Sequence, residues 1–254
     1  MAGYDRLVPA EDLDDVTGAS MTPLERQQLD LIDPTAHTFW HWVRFDFVVA
    51  AARARGASTI VDVGAGSGML GDHLRTKHPA LDYRFDELSP ALDRQLEQHF
   101  GTAARFGADE RVTSGCVAAM LDVIEHIEDD GAMLAAWRER MDPGAQLVVT
   151  VPALQWAYSS WDTELGHFRR YSRKQLRAVL ESSGFTVSSC DYLFPEMLPL
   201  VVKRKLRPSN DNVDMPRLSD RVNRIGHALS STTSRMRRIW PAGTSVVAVA
   251  EVER

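Results

Sequence analysis

Three alternate glycines, Gly64, Gly66 and Gly68, directly follow the apolar, β-branched run Thr59-Ile60-Val61-Asp62-Val63. Glycines at that spacing let a backbone approach a ligand closely and aim its N–H groups at it. Two acids follow at about 20 residues' distance, where ribose hydroxyls lie in nucleotide-binding α/β sheets. They stand in Tyr83-Arg84-Phe85-Asp86-Glu87-Leu88-Ser89-Pro90. Either Asp86 or Glu87 could accept two hydroxyls, depending on the register of the strand. Further on, Asp122 ends the apolar run Val117–Leu121 and is followed by Val123-Ile124-Glu125-His126. Asp122 could accept a hydrogen bond from an amine or hydroxyl, or cap the segment after it. His126 could act as a base or simply pack beside a ligand. A last cluster, Gly166-His167-Phe168-Arg169-Arg170-Tyr171, offers a histidine suited to proton transfer near neutral pH. Its two arginines could hold a carboxylate or phosphate, or pin their own loop to Asp162 or Glu164.

These residues need strand ends and loops to carry them. Strands are expected near residues 59–63, 82–86, 103–106, 116–121, 145–151, 185–192 and 244–251, with helices near 67–77, 89–100, 129–141 and 172–183. Such alternation predicts a parallel sheet covered on both faces. Ahead of it, Thr22, Pro23 and Glu25 have the spacing of a helix N-terminus. A second helix is expected over 36–55, with Trp40, Val43, Phe47, Ala50 and Ala54 on one face and Gly56 as its stop. His37 and His41 sit one helical turn apart there, but no third ligand accompanies them and no metal site is expected. That helix is expected to supply an aromatic wall, opposed by Trp156, Tyr158 and Trp161 from the long loop 152–171. In the segment 194–240, Leu218, Val222, Ile225 and Leu229 follow helical spacing and predict a packed face. Residues 208–214 are expected to be a flexible joint, and residues 1–20 a flexible acidic lead-in.

The glycine pattern selects among nucleotide ligands. A Gly-x-Gly-x-x-Gly fingerprint needs glycine at position 69, where the chain has Met69, which counts against a nicotinamide-dependent oxidoreductase. The stretch Asp62-Val63-Gly64-Ala65-Gly66-Ser67-Gly68, the acid-x-Ser-Pro of Glu87–Pro90, Gly107-Ala108-Asp109, and Asp122-Val-Ile-Glu-His-Ile127 resemble, in order, the motifs of class I S-adenosylmethionine-dependent methyltransferases. Pro152-Ala153, Gly166-His167-Phe168-Arg169-Arg170-Tyr171, His37-Thr38-Phe39-Trp40 and Pro241-Ala242-Gly243-Thr244-Ser245 are similar to a bacterial subgroup acting on small molecules. The resemblance runs from about residue 35 to 252. It implies a Rossmann-like α/β fold, a seven-stranded, mostly parallel sheet whose last strand is antiparallel. It also implies one domain over 21–254, with a helical cap at 21–56 and a helical insertion at 194–240. S-adenosylmethionine would be held by Asp62, Gly64, Ala65, Gly66 and Gly68, by Asp86, Glu87 and Leu88, and by Asp109, Leu121, His126 and Trp42. His167, His126, Asp122 and Tyr171 are the catalytic candidates. His37, His41, Trp156, Tyr158, Arg169 and Arg170 are the acceptor-binding ones. The activity implied is methyl transfer to N, O or C of a small molecule. A lipid acceptor at a membrane surface and a non-catalytic cofactor-binding module are the alternatives.

Composition narrows the setting. The chain has 254 residues with 44% hydrophobic and 25% charged content, ordinary for a globular domain with a sizeable core. No apolar run of about 18 residues suggests a spanning helix, and the acidic start does not resemble a signal peptide. Two cysteines without metal-type spacing suit free thiols in a cytoplasmic protein, as monomer or homodimer. The net charge of −6 divides unevenly: residues 195–254 hold eleven Lys/Arg against six Asp/Glu. That basic end suits a solvated face or an anionic surface, and nothing points to a nucleic-acid partner.

Overall fold

In the computed structural model, residues 21–206 and 217–253 are described. The acidic lead-in and the expected joint at 208–214 lie outside them. Six strands form one sheet: β1 (Thr59–Val63), β2 (Asp82–Asp86), β3 (Cys116–Leu121), β4 (Gln146–Pro152), β5 (Thr186–Leu193) and β6 (Ser245–Glu251). Their order across the sheet is β2-β1-β3-β4-β6-β5. β2, β1, β3 and β4 pair in parallel, and β6 runs antiparallel to both of its neighbours. This is the Rossmann-like arrangement expected, with the last strand reversed. The segment expected as a strand at 103–106 is instead a 3-10 turn, Thr102–Ala104, followed by a single parallel bridge between Phe85 and Arg105. Alanines at 103 and 104 supply no β-branched surface to hold an edge strand, so only one rung of that ladder forms.

The helices are α1 (Pro23–Asp30), α2 (Phe39–Arg55), α3 (Met69–Lys77), α4 (Pro90–Phe100), α5 (Asp130–Glu139), α6 (Ser160–Glu164), α7 (Arg173–Ser182), α8 (Leu198–Leu206) and α9 (Asp220–Arg235). α1 starts on a capping box, with Thr22 and Glu25 satisfying each other's backbone N–H groups. α2 stops where Gly56 turns left-handed, at φ +65°, a conformation that costs glycine little. The sheet is buried on both faces. On one, Leu134 and Trp137 of α5 and Leu176 and Leu180 of α7 complete the core. On the other, Val48 and Val49 of α2 and Leu70 and Leu74 of α3 do so.

Two packing expectations fail. On α2, Ala50 and Ala54 are exposed, while Phe45, Val48, Val49, Ala51 and Ala52 join Val43 in the core. The helix touches β3 and β4 on one side and α9 on another, so its buried surface is wider than one stripe. On α9 the polarity is inverted. Val222, Ile225 and Leu229 are 49%, 60% and 51% exposed, whereas Asn223, Ser230 and Ser234 are buried. The small, polar face packs because it bonds to α2. Asn223 accepts from the Phe39 N–H at 3.0 Å and donates to the His37 carbonyl at 3.0 Å, capping the start of α2. Gly226 lies where a Cβ would fall 2.5 Å from the Phe39 ring.

Candidate active site

A cavity of about 230 Å³ opens at the carboxyl ends of β1, β3 and β4, lined also by α1, α2 and the 152–171 loop. That is where parallel α/β sheets bind ligands. Its floor is the glycine turn. Gly64, Gly66 and Gly68 have φ of +68°, +56° and +79°, a region other residues enter only with strain. The Gly64 and Ala65 N–H groups donate to the main-chain carbonyl of Asp86 at 2.8 and 3.3 Å. The Glu87 carboxylate accepts from the Gly66 N–H and the Ser89 N–H, each at 2.8 Å. Of the two acids left open by the sequence, Glu87 therefore places its side chain on the turn, and Asp86 braces it through its backbone. Burial raises the Glu87 pKa, against the pull of those N–H donors. Asp62, beneath the turn, accepts from the Tyr83 hydroxyl at 3.0 Å. Burial pushes its pKa up to about 7.

α1, within the expected helical cap, covers this turn through side-chain contacts that the sequence did not signal. Gln28 accepts the Ser67 N–H at 3.1 Å, and Glu25 accepts the Ser89 hydroxyl at 2.6 Å. Leu24, Gln27 and Gln28 line the cavity with Met69, Leu70 and the expected Leu121.

The other end of the cavity gathers the polar candidates. Asp122, at φ +57°, is held by Arg44 at 3.0 Å and by the Thr150 hydroxyl at 3.2 Å. It does not cap a helix; that role falls to Asp129, which accepts the Ala132 N–H at the start of α5. Behind it, the 3-10 turn Ile124–His126 carries Glu125, fully buried, with neither carboxylate oxygen hydrogen-bonded. Burial and then the nearby Asp122 push the Glu125 carboxyl well above the usual range. The His126 ring meets the His167 ring edge-on at 4.6 Å. Burial and that neighbour lower the His126 pKa to about 4. His167 bonds through Nδ1 to Asp162 at 2.9 Å. Burial alone would raise Asp162, but hydrogen bonds from His167 and Arg170 hold it down at about 2. Glu125 is the functional candidate that sequence reasoning passed over; its signal was adjacency to His126 at the end of a buried strand.

Several expected site residues are elsewhere. Trp42 faces His227 and Lys77, and Trp40 takes the place in the cavity wall, because two residues along a helix turn a side chain about 200° away. His37 bonds to the Leu31 carbonyl at 2.9 Å, outside the cavity. His41 does line the cavity, but its Nδ1 caps the start of α2 at Thr38. Asp109, Leu88 and Trp156 are exposed, and Trp161 lines the cavity where Trp156 was expected. The Tyr158 hydroxyl donates to the His167 carbonyl at 2.5 Å. Arg169 pairs with Asp130 at 2.9 Å and Arg170 with Asp162 at 2.8 Å. The Tyr171 hydroxyl donates to Asp130 at 2.6 Å. All four make contacts that hold the loop's shape.

Residues 39–189 match the family described as methyltransferase domain. The chain belongs to that family. This methyltransferase uses S-adenosylmethionine as its cofactor. Solved structures share its fold at low identity. A chain from the Haloferax volcanii complex of the Trm112 methyltransferase activator with a candidate methyltransferase is 15% identical, with 93% of this chain and 100% of that one covered at a TM-score of 0.56. Haemonchus contortus phosphoethanolamine N-methyltransferase 2, solved with S-adenosylmethionine, is 14% identical, with 98% of this chain and 61% of that one covered at 0.52. The [4+2]-cyclase SpnF is 13% identical, with 82% and 79% covered at 0.51. Among proteins of curated function, none matches this methyltransferase in sequence. Among the described residues, no helix is long and apolar enough to cross a membrane.

Proposed function

We propose that this methyltransferase modifies a small-molecule acceptor, enclosed with the cofactor between the glycine turn, α1, α2 and the 152–171 loop. The observation that carries this reading is the continuity of the cavity from the Gly64–Ala65 backbone to Glu125, His126 and His167. The residues suit the cofactor in shape: the left-handed glycine turn brings backbone without side-chain bulk to the cavity at Gly64. Its N–H groups are bonded within the chain, Glu87 stands beside it to accept ribose hydroxyls, and buried Asp62 supports the turn from below. Bound there, S-adenosylmethionine supplies a methyl group on a sulfonium, with a neutral thioether as leaving group. The chain's own contribution is alignment, worth roughly 7–11 kcal/mol in the best intramolecular cases, and management of the acceptor's proton. Asp122 and the Glu125–His126–His167 cluster face the acceptor, and Trp40, Trp161 and Leu165 exclude water around it. Tyr171, Arg169 and Arg170 position the loop and do not touch the acceptor. Residues 21–56 act as a cap on this site, and 194–240 as an outer helical insertion.

Calorimetric titration with S-adenosylhomocysteine, NAD⁺ and NADP⁺ tests the cofactor placement. Micromolar binding of S-adenosylhomocysteine, weakened about tenfold or more by Glu87→Ala (about 1.4 kcal/mol), is expected. Unchanged affinity in the variant would refute the assignment of Glu87.

A second reading has a specific observation behind it: the exposed Val222, Ile225 and Leu229 of α9 alternate with exposed Arg221 and Arg224. An apolar stripe flanked by arginines suits an anionic lipid surface, and so a lipid acceptor. The Leu193–Leu200 run contributes less than its sequence suggests, because Leu193 and Phe194 belong to the core. Sedimentation with phosphatidylserine vesicles at moderate salt, abolished by Ile225→Asp, would favour the lipid reading over a freely diffusing acceptor.

A further inference from the structure

Glu125, His126 and His167 each bring one potential ligand atom to within 4.8 Å of the others. Two features distinguish this cluster from a packed polar group. The Glu125 carboxylate has no hydrogen-bond partner at either oxygen although it is wholly buried, and His126 Nδ1 is likewise buried without a partner. Buried polar atoms are almost always satisfied, so three together on one cavity wall call for a ligand. The nearby guanidinium groups do not bond these atoms, although the buried Nε of Arg44 is itself without a partner. Arg44 is engaged by Asp122 and the Ser245 hydroxyl, at 3.0 and 2.9 Å, and Arg170 by Asp162 at 2.8 Å.

The surroundings of the histidines have the form of a ligand's outer support. His167 Nδ1 bonds to the fully buried Asp162, which leaves Nε2 for the cluster, and the Leu165 carbonyl stands beside the His126 ring. A carboxylate or carbonyl on the far nitrogen is the usual device for fixing the orientation of a metal-ligating imidazole. Asp162 is itself fixed by the Ser159 N–H at 2.9 Å and by Arg170. Two imidazoles and one carboxylate suit a first-row divalent cation such as zinc, iron or manganese, with positions left open for a substrate.

We propose that Glu125, His126 and His167 bind a divalent metal ion at the acceptor end of the cavity. The ion's open positions would take a hydroxyl oxygen of the acceptor, which makes the substrate an alcohol or phenol. A divalent ion favours the deprotonated form of a bound hydroxyl, whose proton passes to solvent water. The oxygen then bonds to the methyl carbon as that carbon's bond to the sulfonium sulfur breaks, and the neutral thioether leaves. The acceptor assignment rests on the methyl-transfer reading above; the metal site does not.

The test uses full-length protein stripped with EDTA and dialysed into metal-free buffer. Zn²⁺ and Mn²⁺ are titrated calorimetrically, and Co²⁺ is added as a probe whose visible absorption reports nitrogen and oxygen ligation. One ion per chain is expected, bound tighter than about 100 µM and weakened about tenfold or more by Glu125→Gln and by His167→Gln. Asp162→Asn, which touches only the outer support, should weaken it less. S-adenosylhomocysteine is titrated into every variant in parallel and should bind with unchanged affinity. Absence of stoichiometric binding to the wild type, or unchanged binding in the Glu125→Gln and His167→Gln variants, would overturn the site without touching the cofactor reading. Metal binding without S-adenosylhomocysteine binding would keep the site and overturn the cofactor placement alone.

Discussion

Glu125 is a carboxyl group that the fold buries and leaves unbonded, which makes a testable statement about stability. Removing a buried polar group that lacks a partner returns its desolvation penalty, about 1–3 kcal/mol for a neutral group. Glu125→Met keeps an unbranched side chain of similar length, so it should fill the same space without a cavity. No other residue bonds either Glu125 oxygen, and the backbone N–H beside the carboxyl is its own, so little hydrogen bonding is lost in exchange. In EDTA, the variant should therefore be more stable than the wild type. At about 2–4 °C per kcal/mol for a domain near this size, the midpoint should rise by roughly 2–12 °C. Differential scanning calorimetry and urea denaturation at pH 7 measure it, and methyl transfer to any acceptor that the wild type uses should be lost. A variant less stable than the wild type in EDTA would refute the reasoning, because the carboxyl would then be making structural bonds.

Three further outcomes follow from the geometry. His73 is buried with Nε2 unpartnered, and burial, then Lys77, lower its pKa from 6.5 to about 4. The unfolded chain thus takes a proton that the folded one refuses, so this residue's share of stability is intact above pH 6.5 and falls by up to about 3 kcal/mol toward pH 4. His73→Phe should flatten the difference in urea stability between pH 7 and pH 5, and an unchanged slope would remove His73 from the account. A Cβ on Gly243 would lie 2.1 Å from the Leu193 carbonyl oxygen, so Gly243→Ala should cost about 1–3 kcal/mol in denaturation; no cost would mean that the β5–β6 corner yields. Tyr171→Phe loses the bond to Asp130 and about 1.5–3 kcal/mol of stability, yet should keep kcat within a few-fold. Loss of turnover in a folded variant would restore Tyr171 as a catalytic residue.

Local features of the sequence determined much of this protein. The glycine turn, the Thr22–Glu25 capping box and the Gly56 stop are governed by backbone geometry within a few residues, which residue types report directly. The mostly parallel sheet followed from the alternation of elements, and its reversed last strand from the resemblance to methyltransferases; the order of the strands came from the structure. Where a motif spans one strand end, the residues singled out in the sequence do lie at the cavity, as Gly64, Asp122 and His126 do, or against its glycine turn, as Glu87 does. Periodicity, however, says which residues share a helix face and not what that face meets. Trp40 and Trp42 differ by half a turn, and only the seating of α2 on the sheet selects Trp40 for the cavity. On α9, bonds from Asn223 to the start of α2 outweighed the apolar stripe and turned it to solvent. The tertiary structure alone joined Glu125 and His126 to His167, and Gln28 to the glycine turn, since those partners lie about 40 residues apart in the chain. It also paired Arg169 and Tyr171 with Asp130, and Arg170 with Asp162, contacts that shape the loop. A charge's role depends on whether the fold gives it a partner, and no spacing along the chain encodes that.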